Sequence, residues 1–318
     1  MVPVAARSSW DAAWWRMSVH FEGYIALAGL IVGFAVGMTG MGGGALMTPI
    51  LVLLFKVQPL AAVSSDLVAS LIMKPLGAGV HATSRTVQWR VVRWLCLGSI
   101  PSAFLGVVFL RSFGSGRTVQ NVVSLALGSV VLMAVAAVIV KTLVDRRRHP
   151  SETDGEFASV EVRRGPTLII GAVTGFIVGI TSVGSGTLVI VALLFLYPRL
   201  RGSQMVGTDL SQAIPMVASA AVAHILYGDF QLALTLSIVA GSIPGVLIGS
   251  VISSHTSSGV VRSALTVVLV ASGLKLVNVP TPAVGAALGV CVLVVASTGL
   301  HTWAARRRVR QPAVALTA

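Results

Sequence analysis

Charge is what this sequence lacks. Only 10% of its 318 residues are Asp, Glu, Lys or Arg, where a soluble domain carries about 25%. The shortage is concentrated: 23–55, 118–140, 165–198, 230–261 and 276–305 contain no charged residue. Each run exceeds the roughly 20 helical residues that cross a bilayer core. A β-barrel is excluded, because its strands would be short and alternating. Cysteine is scarce as well. Cys96 and Cys291 both lie in apolar runs and read as small buried hydrophobes, so they imply neither a disulfide framework nor a metal site. No GxxxxGK[ST] stretch occurs, which argues against a built-in ATPase, and no HExxH occurs.

What is present is hydrophobicity and a positive balance. Mean hydropathy is +0.91 and the formal net charge +13. The basic residues sit in loops and in a tail with Arg306, Arg307, Arg308 and Arg310, where they act as topology determinants and not as a nucleic-acid footprint. Five of the ten acids (Asp145, Glu152, Asp154, Glu156 and Glu161) share one stretch. The first residues lack the apolar core and cleavage site of a secretory signal. Residues 1–21 read as a tail in which Trp10, Trp14 and Trp15 suggest a helix lying in the membrane interface.

The chain also repeats itself. "GFAVGMTGMGGGAL" at 33–46 returns as "GFIVGITSVGSGTL" at 175–188. Further on, Asp66-Leu67 returns as Asp209-Leu210, His81 as His224, Gln88 as Gln231, and "GSIP" at 98–101 as "GSIP" at 241–244. The expected architecture is an all-α polytopic membrane protein of two repeats, 22–141 and 165–277. A polar linker at 142–164 joins them, an extra span follows at 278–304, and a basic tail closes the chain at 305–318. Each repeat contains a broken helix pair (23–38 with 43–56; 166–181 with 185–198) and about three full spans. The six Lys/Arg of 141–165 and the four after 304 place linker and C-terminus in the cytoplasm. Counting spans from both then runs the two copies in opposite directions, the inverted-topology repeat of many secondary transporters.

The glycines explain the breaks. Irregular backbone at membrane depth survives only where protein buries it or where it lines a cavity. Helix N-termini left by such breaks carry unpaired N–H groups and a positive dipole end, which favour an anion. Thr39, Gly40, Gly42, Gly43 and Gly44 in the first break, and Thr181, Ser182, Gly184, Ser185 and Gly186 in the second, are therefore the candidate substrate contacts. Gly33/Gly37 and Gly175/Gly179 have the spacing of close helix packing instead.

Charges inside spans are costly and usually functional. Asp66, Ser70 and Lys74 step by four along one helix face, and Pro75 is expected to interrupt that helix, as is Pro215 in the other copy. Lys74 has no counterpart, since Val217 stands in its place. That unmatched positive charge points to an anionic substrate; the alternative is a structural pair with Asp66. Asp66 and Asp209 either cap backbone breaks or couple an ion. His81 and His224 either hydrogen-bond at the interface or relay protons.

The glycine-rich stretch at 33–49, its reduced copy at 175–188 and the two GSIP stretches resemble the TauE/SafE sulfite-exporter family of bacterial membrane permeases. The resemblance covers roughly 22–277. It implies a bacterial inner-membrane permease for sulfite, organosulfonates or related sulfur oxyanions. Export by alternating access, one repeat rocking against the other, is the expected mode, with no catalytic residue, cofactor or metal, and with a homodimer as one possible assembly. Three rivals remain open, one of them a purely structural membrane scaffold, which has little need for broken helices. A divalent-cation permease would use the intramembrane Asp and His. An intramembrane hydrolase would use Ser185, although such a motif wants Gly at 183, where Val stands.

Overall fold

A computed structural model describes residues 23–39, 44–83, 87–114, 116–147, 161–200, 202–227, 230–253 and 259–289. Ten helices are bounded within them: α1 Gly23–Thr39, α2 Gly44–Leu53, α3 Pro59–Thr83, α4 Trp89–Arg111, α5 Arg117–Arg147, α6 Arg164–Thr181, α7 Thr187–Leu196, α8 Gly202–Tyr227, α9 Leu232–Ser253 and α10 Gly259–Leu276. Residues 281–289 are helical too, and no strand occurs among the described residues. The tail 1–21, the middle of the linker, most of the extra span and the basic tail lie outside the described residues, as do Gly40, Gly42 and Gly43.

Among the described residues, five helices are long and apolar enough to cross a membrane: α4, α5 up to Lys141, α6, α8 from Ser203, and α9 up to Gly249. The short helices fall where the glycine breaks were predicted. Two expectations need correction. Pro75 and Pro215 lie inside continuous helices, α3 and α8. Proline removes one hydrogen bond, and neighbouring helices make this tolerable at membrane depth. Helix α5 also runs six residues into the stretch assigned to the linker. Lys141 to Arg147 contains neither glycine nor proline, and the first such residue is Pro150.

Polarity is distributed inside out. Asp66, Asp209, His224, Thr48 and Ser64 are buried, whereas Leu27, Ile31, Leu97, Leu105, Leu247 and Val251 are each more than half exposed. An apolar surface of that kind marks a membrane or partner interface, not a surface facing water.

Aromatic residues fold each broken pair back on itself. Tyr24, at the start of α1, stacks on Phe55 just past α2, with ring centroids 5.7 Å apart. A straight passage through both helices would separate these residues by about 40 Å, so α1 and α2 form a hairpin. In the other half Tyr197, 142 positions after Phe55, closes α6 and α7 in the same way. Its hydroxyl accepts from the Arg163 N–H at 3.1 Å and bonds Thr167 Oγ1.

Glycine sets the tightest packing. Along α4 and α6, Gly98 faces Leu168 and Ala172, Ser99 faces Gly175, and Ala103 faces Gly179. Along α1 and α9, Ala26 faces Gly241, Leu30 faces Gly245, and Phe34 faces Gly249. At these points a Cβ on the glycine would overlap the partner's backbone, so the helices meet main chain to main chain. The two GSIP stretches supply Gly98, Ser99, Gly241 and Ser242 to these seams. Residue numbers rise together in both, so each pair runs parallel, and each joins the first helix of one half to the fourth helix of the other. Helices α3 and α8 cross the halves antiparallel: Ser64 meets His224, while Lys74 and Asp209 reach neighbouring residues of the second break, Ser185 and Gly186.

Candidate functional site

The two breaks meet. Gly44, the first residue of α2, sits so close to Ser182 that a Cβ would overlap the Ser182 carbonyl oxygen and approach Asp66 Oδ2 to 3.0 Å. Ser182 ends α6 in the left-handed region (φ 60°), with its N–H on the Val178 carbonyl at 2.8 Å. That turn directs its hydroxyl across the molecule, where Ser182 Oγ donates to Asp66 Oδ2 at 2.6 Å. Thr48 Oγ1, on α2, donates to the same oxygen at 3.0 Å. Asp66 is fully buried, and its Oδ1 has no hydrogen-bond partner. A buried carboxylate oxygen left unpaired is costly.

The second break is more polar. Gly184 (φ 116°) and Gly186 (φ 106°) take backbone conformations that side-chain-bearing residues avoid. They carry the chain from the end of α6 into α7. Asp209 Oδ1 accepts the Gly186 N–H at 3.3 Å and Gln212 Nε2 at 3.4 Å. Each aspartate therefore stands at the start of the second helix of its own hairpin, beside the positive dipole end. The capping alternative describes Asp209 directly. It also means that the Gly186 N–H is already engaged by a carboxylate and is not held free for a ligand.

Lys74 supplies the positive charge. Its Nζ donates to Ser185 Oγ at 2.6 Å, crossing from α3 to the break of the other half. It lies within electrostatic reach of Asp209 and, more weakly, of Asp66. With all three groups ionised, the centre carries one net negative charge.

The remaining candidates separate. Thr181 Oγ1 donates to the Ile177 carbonyl at 2.8 Å and accepts the Val183 N–H at 3.2 Å, so its hydroxyl is spent on its own chain. Because Val183 N–H turns to Thr181, the Gly179 carbonyl is open to another donor. His224 takes it, with Nε2 at 2.8 Å, while Nδ1 bonds Ser64 Oγ at 2.8 Å. His224 is fully buried and is no interfacial residue; it ties α8 to α3 and caps the end of α6. Thr39 ends α1, and its side chain, like that of His81, lies outside the described residues.

Sequence reasoning missed Thr48, Ser64 and Gln212. Gln212 lies one turn beyond Asp209, a spacing that could have flagged it. Thr48 and Ser64 gain their roles only from packing between helices.

The family described as Sulfite exporter TauE/SafE matches residues 25–276. The chain is similar to the "Probable membrane transporter protein YjnA" of Bacillus subtilis, 38% identical over 254 residues, 80% of this chain and 98% of that protein. It is also similar to the "Probable membrane transporter protein YunE" of the same organism, 24% identical over 80% of this chain and 96% of that one. A third relative is the "Probable membrane transporter protein MJ0441" of Methanocaldococcus jannaschii, 26% identical over 52% of this chain and 59% of the relative. No solved structure matches.

Proposed function

The chain belongs to the sulfite exporter TauE/SafE family of membrane transporters, and on that premise we propose that it is a permease for a small sulfur-containing oxyanion, sulfite or an organosulfonate, working by alternating access, in the export direction, in the bacterial inner membrane. The supporting observation is the contact of the two helix breaks across a polar, buried centre with one lysine in it: Ser182 on Asp66, and Lys74 on Ser185. An oxyanion needs donors that converge from several directions and a compensating charge. Lys74 Nζ and the Ser185 hydroxyl provide both.

The halves are read as an inverted-topology repeat, with the hairpins opening on opposite sides of the membrane and the C-terminus in the cytoplasm. In support, α1 runs parallel to α9 and α4 to α6, while α3 and α8 are antiparallel. That pattern follows when the second copy is turned over relative to the first.

Uptake of labelled sulfite, sulfate, thiosulfate and several sulfonates into proteoliposomes tests the reading. Lys74→Ala should reduce flux at least about a hundredfold, the scale of losing a buried charged hydrogen bond of roughly 3 kcal/mol, with the protein still monodisperse. Flux that is indifferent to Lys74 would remove it from the site.

A further inference from the structure

We propose that Asp66 is the proton-coupling group of this permease: its free Oδ1 is protonated when the anion is bound, so one proton crosses with each anion. This rests on the anion reading above and deepens it; because the accompanying proton follows an inside-alkaline gradient inward, net export runs only while the outward anion gradient exceeds the pH gradient.

The first support is the unpaired oxygen. Ser182 and Thr48 both direct their hydroxyls at Oδ2, and Oδ1 is buried without a partner. An ionised carboxylate is acceptor-only, so this pocket leaves half of it unsatisfied. A protonated acid is neutral and gains a donor at the open oxygen. The other buried titratable groups differ. Asp209 holds the Gly186 N–H and the Gln212 amide on Oδ1 and has no oxygen that is both buried and without a partner, and both ring nitrogens of His224 are engaged.

The second support is the charge balance. The groups around Asp66 are Lys74 on its own helix and Asp209 and His224 on α8. From α5, Lys141 acts on Asp209. Helices α2 and α9 carry no titratable side chain, and α6 has only Arg164, at its far end. With Asp66 ionised, an arriving anion raises the centre from one negative charge to two. With Asp66 protonated, Lys74 and Asp209 balance, and the anion alone remains. Like charges at this depth repel strongly, so binding of the anion and protonation of Asp66 favour each other. The step is a proton transfer without redox. Oδ1 takes a proton from water on one side, the O–H donates toward the bound oxyanion, and after the centre reopens the proton leaves to water on the other side.

The test uses full-length protein in proteoliposomes and methanesulfonate, whose charge does not change with pH, alongside sulfite. Anion exchange at equal pH is measured first, then net accumulation under an inside-alkaline gradient. A gradient of one pH unit should support up to about tenfold accumulation by the wild type. Asp66→Asn keeps a neutral, hydrogen-bonding side chain but cannot titrate, so gradient-driven accumulation should disappear and whatever exchange remains at equal pH should lose its dependence on pH. Ser182→Ala provides a variant that keeps the carboxylate. It removes a donor that favours the ionised form, and should move the pH midpoint of exchange upward by about one unit. Wild-type exchange without response to the pH gradient, accumulation driven by a sodium gradient instead, or undiminished gradient-driven accumulation in Asp66→Asn would each overturn proton coupling while leaving the anion permease intact. Absence of any anion exchange by the wild type would overturn the permease reading itself, and this inference with it.

Discussion

Replacing Gly44 by alanine adds one methyl group where the two helix breaks touch. Two effects compete. Alanine is favoured over glycine in a helix by about 1 kcal/mol, and by less in the first turn, where Gly44 stands. Against this, the new Cβ would overlap the Ser182 carbonyl and crowd Asp66 Oδ2 at 3.0 Å. A flexible side chain could move aside, but this carbonyl belongs to a residue held in the left-handed region and bonded through its N–H to Val178. Overpacking of that kind costs about 1–3 kcal/mol, so the clash wins.

The cheapest relief is to part the breaks by roughly an ångström. That would stretch the Ser182–Asp66 bond from 2.6 Å beyond hydrogen-bonding range. Gly44→Ala should therefore lower the melting temperature in detergent by a few degrees and reduce flux per folded protein by about tenfold or more, the equivalent of 1.4 kcal/mol. Gly165→Ala is the control, because nothing lies within 4 Å of its Cβ position; it should change neither quantity. If Gly44→Ala melts and transports like the wild type, the breaks do not meet as described, and the site built on their meeting is wrong.

Two further outcomes follow from the hairpins and the seams. Tyr197→Phe removes the hydroxyl shared by Arg163 N and Thr167; it should cost about 1–2 kcal/mol in thermal stability and leave the substrate dependence of flux unchanged, so an altered substrate dependence would place Tyr197 in the transport path. Gly249→Leu drives a side chain into the Phe34 backbone and should cost about 3 kcal/mol, seen as loss of the monodisperse peak on size exclusion, whereas Gly285→Leu, with nothing within 4 Å, should elute normally.

Much of this was legible before any coordinates. Charge-free runs marked three of the five candidate spans, α5, α6 and α9, because hydrocarbon excludes charge. The recurring glycines located both breaks to within a residue or two, because only glycine-rich backbone abandons a helix there. Asp66, Asp209 and Lys74 announced themselves as charges where charge is costly. The pairing of groups was not legible. Asp66 meets Ser182 across 116 positions and His224 meets Ser64 across 160, and no local periodicity encodes such distances. Proline misled for a related reason: local propensity reads Pro75 as a stop, while packing carries α3 through it. Thr181 looked like a ligand because hydroxyls in a broken helix often are. Yet the same break frees backbone groups nearby, and Val183 N–H claimed it first.

The seams bear on how such a protein could move. A repeat rocking as one body would be cut at the linker, with α1 to α5 on one side and α6 to α10 on the other. That cut passes through both glycine seams, where α1 lies on α9 and α4 on α6 main chain to main chain. Opening them would expose close-packed backbone with no side chains to cover it, and packed cores resist continuous deformation. A movement that keeps the seams must carry α1 with α9 and α4 with α6. The first helix of each hairpin then belongs mechanically to the other half. The polar contacts at the centre, Ser182 to Asp66 and Lys74 to Ser185, are few and directional by comparison. They can break and reform without cost to the seams, once a proton or an anion takes the place of the lost partner. Access would then alternate through α2, α7 and the breaks they start from, short helices of ten residues each, while the welded pairs serve as the frame.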